Sequence, residues 1–506
     1  MGTNNKKCTN DLDAAYEILL SFEYTFYKDL RNHLLKKGYL LSIHTKKEVV
    51  MNILECSLHY FADRFEKWCI EHFKNSNDVG KILWLYSSYE KAKNNKQIKL
   101  SDLDIIGLYV CRYILSISPN LILSTKENQL FIDNNIWLPE LFALANCIGN
   151  ITQFRTVEGV SEMPALSIDL ISPYVKIDYL NSDLESLLQK SRIKGEQILS
   201  PQYVDYSIAL DFNKLLIDEF GEAASSLLDA ISELTYDSKE DIIPKDFSPY
   251  ITRYGKSPFV EALVLDKKSV NFYNVVSKPH NNNHRTRFKP LIELSIDGES
   301  VVISSKWLIF EALSELYMNR LPFNGLPTKW LKNKSIKKFA DFISNKVGNE
   351  FERIVASRIS KGYAFQHDVR SVKNTSIEDF PVYENGKLTN RTVGQIDFIV
   401  INSDRKTIYI ADAKHLKSKY ITASFYNDKS KFDEYYIKLK DKVHWAENNT
   451  SLISELFDMD LTLFNVQGLF ITDAYVFYAL FVNYPIIPLI AINQYFDTND
   501  RFCYLN

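Results

Sequence analysis

The chain has few of the residues that mark specialised classes of protein. Its 506 residues include only 16 glycines and 15 prolines, which is far from a fibrous or low-complexity composition. The cysteines form no CxxC pair and no Cys/His cluster, which argues against a zinc site, an iron–sulfur cluster and a disulfide framework. They are scattered as Cys8, Cys56, Cys69, Cys111, Cys147 and Cys503. We therefore expect a protein of the reducing cytoplasm.

The chain also lacks an excess of charge of either sign. Its 60 basic and 63 acidic side chains leave a net charge of −3, so any surface for a polyanion must be local. Its apolar share of 46% is typical of globular proteins. Because a single hydrophobic core stops growing at about 250 to 300 residues, we expect two or three domains.

Signals for export and for a membrane span are weak. Acidic residues interrupt the first 20 positions, so we expect no signal peptide. Residues 474–492 are apolar and long enough to span a bilayer, but Asn483, Pro485 and Pro488 interrupt them. We interpret this stretch as buried strands joined by a proline-containing turn, and we expect no membrane partner.

Apolar periodicity predicts a mainly helical domain over residues 1–155. Apolar residues recur at threes and fours, which is typical of amphipathic helices. The expected helices lie within residues 11–75 and over residues 81–92, 101–118 and 138–149.

A mixed α/β region is predicted for residues 156–335, with a role in recognition or partner binding. The tract 321–334 is rich in proline, glycine and lysine, and we interpret it as a linker that ends near residue 335. The polar, basic segment 277–289 is either a surface loop or a phosphate contact. Strands are expected at 165–171, 174–180, 259–266, 269–276, 290–297 and 300–305, and helices at 207–220 and 223–235.

No Walker A sequence, GxGxxG turn, kinase signature or fixed-period repeat is present, so the first two thirds of the chain indicate no chemistry. The informative stretch lies in residues 393–419. Two β-rich runs, 395–402 and 407–413, flank a four-residue turn at 403–406. A hairpin with this turn places Asp397 directly opposite Asp412, with Cβ atoms about 4.5 to 5.5 Å apart.

Strand alternation places Lys414 on the same face as these two aspartates. Facing carboxylates repel each other unless a cation lies between them. Mg²⁺ is bound by one or two carboxylates together with phosphate oxygens, and Mn²⁺ is expected to substitute for it. The backbone carbonyl of Ala413 is a further candidate ligand. Such a metal suits phosphodiester cleavage, in which Lys414 would orient the water and stabilise negative charge on the phosphoryl oxygens.

This pattern, Asp397 followed by Asp412-Ala-Lys414 on apolar strands, resembles the PD-(D/E)xK superfamily of restriction-endonuclease-like nucleases. Ile396 stands where the motif has its proline. The resemblance covers residues 336–506 and implies an α/β/α nuclease domain, with a glutamate from the preceding helix in the metal shell. The upstream segment FERIV…KGY resembles the opening of Mrr-like restriction nucleases. After the motif the chain continues as the family would, with an expected helix over residues 435–449 and expected strands over residues 465–472 and 487–496.

Two glutamates compete for the helical role. Glu352 shares a helix face with Val355 and Ile359, so we prefer it as a metal ligand, whereas Glu350 suits the first helical turn. Gln395, two residues before Asp397, is a candidate to hydrogen-bond the metal water or the substrate.

Several basic residues around the motif have two interpretations. They either contact nucleic-acid phosphates or lie solvated on the surface, and the sequence favours neither interpretation. These residues are Lys417, Lys419, Lys438 and Lys442. His415 is expected on the opposite face from Lys414, in a supporting or surface position. We expect structural roles for the isolated histidines His280, His284, His367 and His444.

The resemblance implies a metal-dependent DNA endonuclease, of a kind found in bacterial restriction and anti-phage defence. Duplex DNA is the expected substrate, and a double-strand break would require two active sites, so a homo-oligomer is expected. A defence-system partner protein is a further expectation. Two alternatives stay open. One is a catalytically inactive scaffold with the same fold that binds nucleic acid or protein, and the other is a nuclease that cleaves RNA.

Overall fold

A computed structural model of the chain describes residues 4–72, 110, 113, 122–123, 139–197, 206–222, 258–265, 272–277, 288–296, 299–304, 306–373, 375–384, 387–416 and 426–505. The chain divides into two compact units. The first contains residues 1–159, 163–180 and 204–340, and the second contains residues 160–162, 181–203 and 341–506.

The described elements form a mixed α/β protein. The α-helices are α1 Asn4–Lys36, α2 Lys47–His72, α3 Pro139–Val160, α4 Ser182–Gln197, α5 Tyr206–Phe220, α6 Pro258–Leu263, α7 Phe272–Ser277, α8 Lys306–Glu315, α9 Thr328–Leu331, α10 Lys334–Ile359, α11 Tyr426–Asn448, α12 Thr450–Phe457 and α13 Ile492–Thr498. The strands are β1 Ile43–His44, β2 Ile122–Leu123, β3 Leu166–Asp169, β4 Lys176–Tyr179, β5 Ile292–Ile296, β6 Glu299–Ile303, β7 Ala364–Val369, β8 Ser371–Val372, β9 Thr375–Ser376, β10 Pro381–Glu384, β11 Lys387–Thr392, β12 Ile396–Asn402, β13 Thr407–Lys414, β14 Asn465–Thr472 and β15 Ile486–Pro488.

The helical character predicted for the N-terminal region is confirmed in the described residues. Helices α1 and α2 occupy most of residues 11–75, and α3 covers the helix expected at 138–149. Helix α3 continues through residue 156, where we expected the strands to begin. The helices expected at 81–92, 101–118 and 223–235 lie outside the described residues, apart from single positions in the second of them.

The strand predictions for the middle region are partly right. Strands β3 and β4 pair antiparallel at the predicted positions, and so do β5 and β6. Residues 259–266 and 269–276, which we expected to be strands, instead contain helices α6 and α7. In α6 the buried residues are the adjacent pairs Phe259–Val260 and Ala262–Leu263, which recur at helical spacing. The run is too short for periodicity alone to distinguish a helix from a strand.

The interpretation of residues 321–334 as a linker is wrong. This tract holds a 3-10 turn, helix α9 and the start of α10, and Trp330 within it is fully buried. The Trp330 ring stacks on Phe259, with 5.0 Å between ring centroids. Proline and glycine here shape tight turns in a packed segment. Most of the basic segment 277–289 lies outside the described residues.

The second unit is built on a five-stranded sheet in the order β15-β14-β13-β12-β7. Strand β12 pairs antiparallel with both β7 and β13, whereas β13, β14 and β15 are parallel. The strands expected at 395–402, 407–413 and 465–472 are therefore confirmed, with β12 beginning one residue late. The strand expected at 487–496 ends with β15 at Pro488, and Ile492, Tyr495 and Phe496 are instead buried at helical spacing in α13. The interpretation of residues 474–492 as buried strands is therefore only partly right, since Phe477–Leu480 within it forms a 3-10 turn.

Both faces of the central strands are covered. Every residue of β12 is buried, as is all of β13 except its last residue. Helix α11 packs on one face, where Phe432 lies 5.3 Å from Phe470 of β14 between ring centroids. On the other face Tyr409 contacts Phe496 of α13 at 4.8 Å. In the described part of the chain no helix combines the length and apolarity needed to cross a bilayer.

Candidate metal centre

The hairpin of β12 and β13 has the register that the sequence predicted. Phe398 pairs with Ala411, and the pairing continues without a shift to Asn402 and Thr407 at the turn. One step beyond Phe398, this register sets Asp397 opposite Asp412. The turn between the strands places Lys406 in the left-handed region at φ 48°, and Asn402 accepts a hydrogen bond from the Arg405 backbone N–H.

Asp397 is a buried carboxylate with a raised pKa. Its Oδ2 accepts a hydrogen bond from the backbone N–H of Ala413 at 3.0 Å. Burial, followed by the negative charge of Asp412, raises the pKa of Asp397 to about 6. Near neutral pH the group is therefore ionised at a cost in free energy, and a bound cation would lower that cost.

Asp412 is still more deeply buried, and two lysines neutralise it. Burial alone would raise its pKa, but the ammonium groups of Lys414 and Lys442 outweigh burial and hold the pKa below its usual value. Lys414 Nζ lies 3.3 Å from Oδ2, and Lys442 Nζ lies 2.5 Å from Oδ1. Each oxygen of this carboxylate thus has its own ammonium partner.

Lys414 joins the two aspartates, as the alternation of β13 predicted. Its Nζ lies 3.8 Å from Oδ2 of Asp397, and the side chain is about one fifth exposed (21%). Burial would lower the pKa of this ammonium, but the charges of Asp412 and Asp397 raise it. Tyr435 of α11 provides an aromatic face 5.3 Å from Nζ. Lys414 is therefore held as a cation that solvent can still reach.

The two candidate glutamates of α10 lie in different environments. Glu352 is half-buried beside His367, with 3.3 Å between Oε2 and Nε2, and its charge contributes to the raised pKa of Asp397. His367 in turn stacks on Phe398, next in sequence to Asp397. Glu350 is exposed and pairs with Arg353 at 3.7 Å. Its expected place in the first helical turn is wrong, because α10 already begins at Lys334. Of the two, Glu352 is the one near the aspartates.

Gln395 lies just outside the strand that we expected it to begin. It is half-buried in the segment between β11 and β12, directly after Gly394, whose φ is +74°. Ala413, the candidate carbonyl ligand, is buried between Asp412 and Lys414 in β13.

The lysines of α11 do not share one environment. Lys438 is exposed, as a solvated face or a phosphate contact requires. For Lys442 the solvated interpretation is wrong, since its side chain is only 9% exposed against Asp412. Sequence spacing identified the helix but not this contact, because it depends on how α11 rotates over the sheet. Lys417 and Lys419 lie outside the described residues.

His415 is more buried than a surface role would require. Its Nδ1 lies 2.5 Å from Oδ2 of Asp473, and Oδ1 of Asp473 accepts a hydrogen bond from the Leu416 backbone N–H at 2.7 Å. Asp473 follows β14 directly, in parallel register with the end of β13. This aspartate, which sequence reasoning missed, fixes the chain just after Lys414.

The carboxylates present suit one class of metal. In the described ranges, no three side chains among histidine, cysteine, aspartate and glutamate come together as a metal site. A closed structural site of the zinc type is therefore not formed there. Two facing carboxylates, one of them ionised at a cost, match the needs of Mg²⁺, which takes one or two carboxylates and fills its remaining positions with water and phosphate oxygens.

The chain matches no family model, no curated protein and no solved structure.

Proposed function

We propose that the second unit is a metal-dependent nuclease that hydrolyses phosphodiester bonds in DNA. The observation that carries this proposal is the buried pair Asp397 and Asp412 on adjacent strands, with Lys414 Nζ 3.8 Å and 3.3 Å from their oxygens. Buried like charges cost free energy, so a pair of carboxylates at one buried point suggests a function that needs them there.

Each residue has a distinct task in such a reaction. A divalent metal bound between the aspartates would act as a Lewis acid and lower the pKa of the attacking water. Asp397 and Asp412 would hold it, and Glu352 lies close enough for its charge to raise the pKa of Asp397. The partly exposed Lys414 would hydrogen-bond the attacking water and stabilise the growing negative charge on the phosphoryl oxygens.

The finer parts of this proposal rest on the resemblance to PD-(D/E)xK nucleases. They are duplex DNA as the substrate, Mg²⁺ as the metal with Mn²⁺ in its place, and a role in restriction or anti-phage defence. The five-stranded mixed sheet with helices on both faces supports a restriction-endonuclease-like fold. The first unit would then recognise the trigger, the partner or the DNA.

A second candidate is a catalytically inactive scaffold, and one contact favours it. Lys442 and Lys414 together neutralise Asp412 without any metal, so the carboxylate pair can be stable as a purely structural ion cluster. This interpretation requires that the protein bind no divalent metal at the cluster.

The test is a cleavage assay on supercoiled plasmid, linear duplex DNA, single-stranded DNA and RNA, with Mg²⁺, Mn²⁺ or EDTA. We expect metal-dependent cleavage of duplex DNA by the wild type and none by Asp412→Ala or Lys414→Ala. Preferential cleavage of RNA would favour the alternative that the protein is an RNA nuclease with the same metal chemistry. Failure to cleave any substrate, combined with no metal binding, would favour the scaffold.

A further inference from the structure

We propose that Lys442 is a built-in cation that occupies the metal-binding carboxylate of Asp412 in the resting protein. A divalent metal then binds tightly only when Lys442 moves to a phosphate of the substrate. This inference rests on the proposed function, since it concerns the same metal site. It makes metal binding and nucleic-acid binding mutually dependent.

The first support is the distribution of contacts around Asp412. Lys442 Nζ lies 2.5 Å from Oδ1 and donates a charge-assisted hydrogen bond to it, while Lys414 Nζ lies 3.3 Å from Oδ2. Both oxygens are thus engaged by ammonium groups. A metal ion that binds this carboxylate has to displace at least one of them.

The second support is the burial of Lys442. The Lys442 side chain is 9% exposed and that of Asp412 is 3% exposed. A buried ammonium is strongly unfavourable unless it is paired, so Lys442 needs an anion wherever it lies. In the resting protein that anion is Asp412. A substrate phosphate is the other anion that this site would receive.

The third support is the way that strand β14 and the separate β10–β11 hairpin hold α11 over the site. Residue 468 of β14 is glycine, and a Cβ there would lie 2.8 Å from Cγ2 of Val443, so the helix approaches the sheet closely. Beside Lys442, Asp441 accepts two hydrogen bonds from Arg391 of β11 at 2.9 and 3.2 Å. The helix backbone is therefore fixed, and only the flexible side chain of Lys442 has to move.

Electrostatics gives the direction of the effect. An ammonium a few ångströms from a divalent cation repels it, and the repulsion is strong in a buried site. A phosphate that attracts Lys442 removes this repulsion and adds oxygen ligands for the metal. By thermodynamic linkage, the metal must then strengthen nucleic-acid binding by the same factor.

The experiment measures Mn²⁺ binding to the full chain by titration calorimetry, without nucleic acid. We compare the wild type with Lys442→Met, which removes the charge, and Lys442→Arg, which keeps it. Lys440→Met, at an exposed lysine on the same helix, is the matched control. We expect Lys442→Met to bind Mn²⁺ at least about tenfold more tightly than the wild type, and the other two variants to bind within about twofold of it.

A second arm uses the wild type alone and stays informative if Lys442→Met fails to fold. A short phosphorothioate duplex, which resists hydrolysis, should tighten Mn²⁺ binding to the wild type by about tenfold or more. The proposal is overturned if the wild type and Lys442→Met bind Mn²⁺ with equal affinity. It is also overturned if Lys442→Met and Lys442→Arg increase the affinity for Mn²⁺ equally, or if the duplex does not change Mn²⁺ binding. The cleavage assay is independent: a wild type that cuts DNA but fails these comparisons keeps the nuclease and loses the role of Lys442. If Lys442→Met binds the metal more tightly but the wild type cleaves no substrate, the role of Lys442 is kept and the nuclease proposal is lost.

Discussion

The Nζ of Lys414 lies 3.3 Å from Oδ2 of Asp412, two residues earlier on the same strand. Strand alternation puts both side chains on the face of the sheet that α11 covers. The same ammonium lies 3.8 Å from Asp397 on the neighbouring strand. The lysine and the two aspartates thus form one electrostatic unit, and a change in any member alters the charge balance of the others.

Replacing Asp397 with asparagine should stabilise the metal-free protein at pH 7 to 8. The folded-state pKa of about 6 lies above the usual range of an aspartate, so the ionised carboxylate disfavours folding, and this cost is complete once the pH exceeds the folded pKa. Each unit of such a shift corresponds to about 1.4 kcal/mol, and the neutral amide removes this cost while its oxygen can still accept the Ala413 N–H. Chemical denaturation of the metal-free protein measures the difference.

The matched control for this variant is Glu434→Gln, at an exposed carboxylate on α11. It should change the free energy of unfolding by less than about 0.5 kcal/mol. If Asp397→Asn lowers the stability of the metal-free protein, the carboxylate contributes net favourable pairing and our account of its charge is wrong.

Metal affinity should depend on pH through Asp397. Burial and the charge of Asp412 raise the pKa of Asp397 to about 6, so below that pH a proton must leave before a cation binds. We expect Mn²⁺ affinity to be nearly constant above pH 7 and to fall about tenfold per pH unit below pH 6. Titration calorimetry in several buffers also counts the released proton. An affinity that does not change from pH 5 to 8 would contradict this assignment.

Gly468→Ala should destabilise the second unit. The new Cβ would meet Cγ2 of Val443 at 2.8 Å and the Leu439 side chain at 3.1 Å, so these side chains or α11 itself would have to shift. We expect a loss of about 1 to 3 kcal/mol in the free energy of unfolding. Gly348→Ala is the contrasting control, since its Cβ meets nothing within 4 Å on helix α10, and it should stabilise by about 0.5 to 1 kcal/mol. Equal effects of the two alanines would show that the close approach of α11 is not present in solution.

The tract 321–334 should behave as a packed segment in solution. Trp330 is fully buried against Phe259, and its truncation to alanine should cost about 3 to 5 kcal/mol. Phe342→Ala, at a ring that is 60% exposed, should cost far less. Limited proteolysis of the native chain checks the same point. Early cleavage within 321–334 would restore the linker interpretation.

The sequence predicted those parts of the site that depend on local pairing. The polar turn at 403–406 sets the register of the hairpin, and the register alone brings Asp397 and Asp412 face to face and Lys414 beside them. The central strands are long apolar runs with β-branched residues, so their assignment was also secure.

The parts that failed depend on tertiary packing. Lys442 meets Asp412, and Asp473 meets His415, because helices and parallel strands distant in sequence pack at particular rotations and registers. Single-sequence periodicity carries no information about either contact. The strand predictions over α6 and α13 are wrong for a related reason. These apolar runs are short and buried on most sides, so they lack the alternation that distinguishes a strand from a helix.

The most direct test of the nuclease account is single-turnover cleavage of duplex DNA by Lys414→Met, with DNA binding measured on the same preparation. Lys429→Met, which removes an exposed ion pair with Asp433 on α11, is the control. We expect Lys414→Met to bind DNA and Mn²⁺ but to cleave at least about 100-fold more slowly, while the control cleaves at the wild-type rate. Cleavage by Lys414→Met at the wild-type rate would contradict the account, because the activity would then arise elsewhere in the preparation or in the chain.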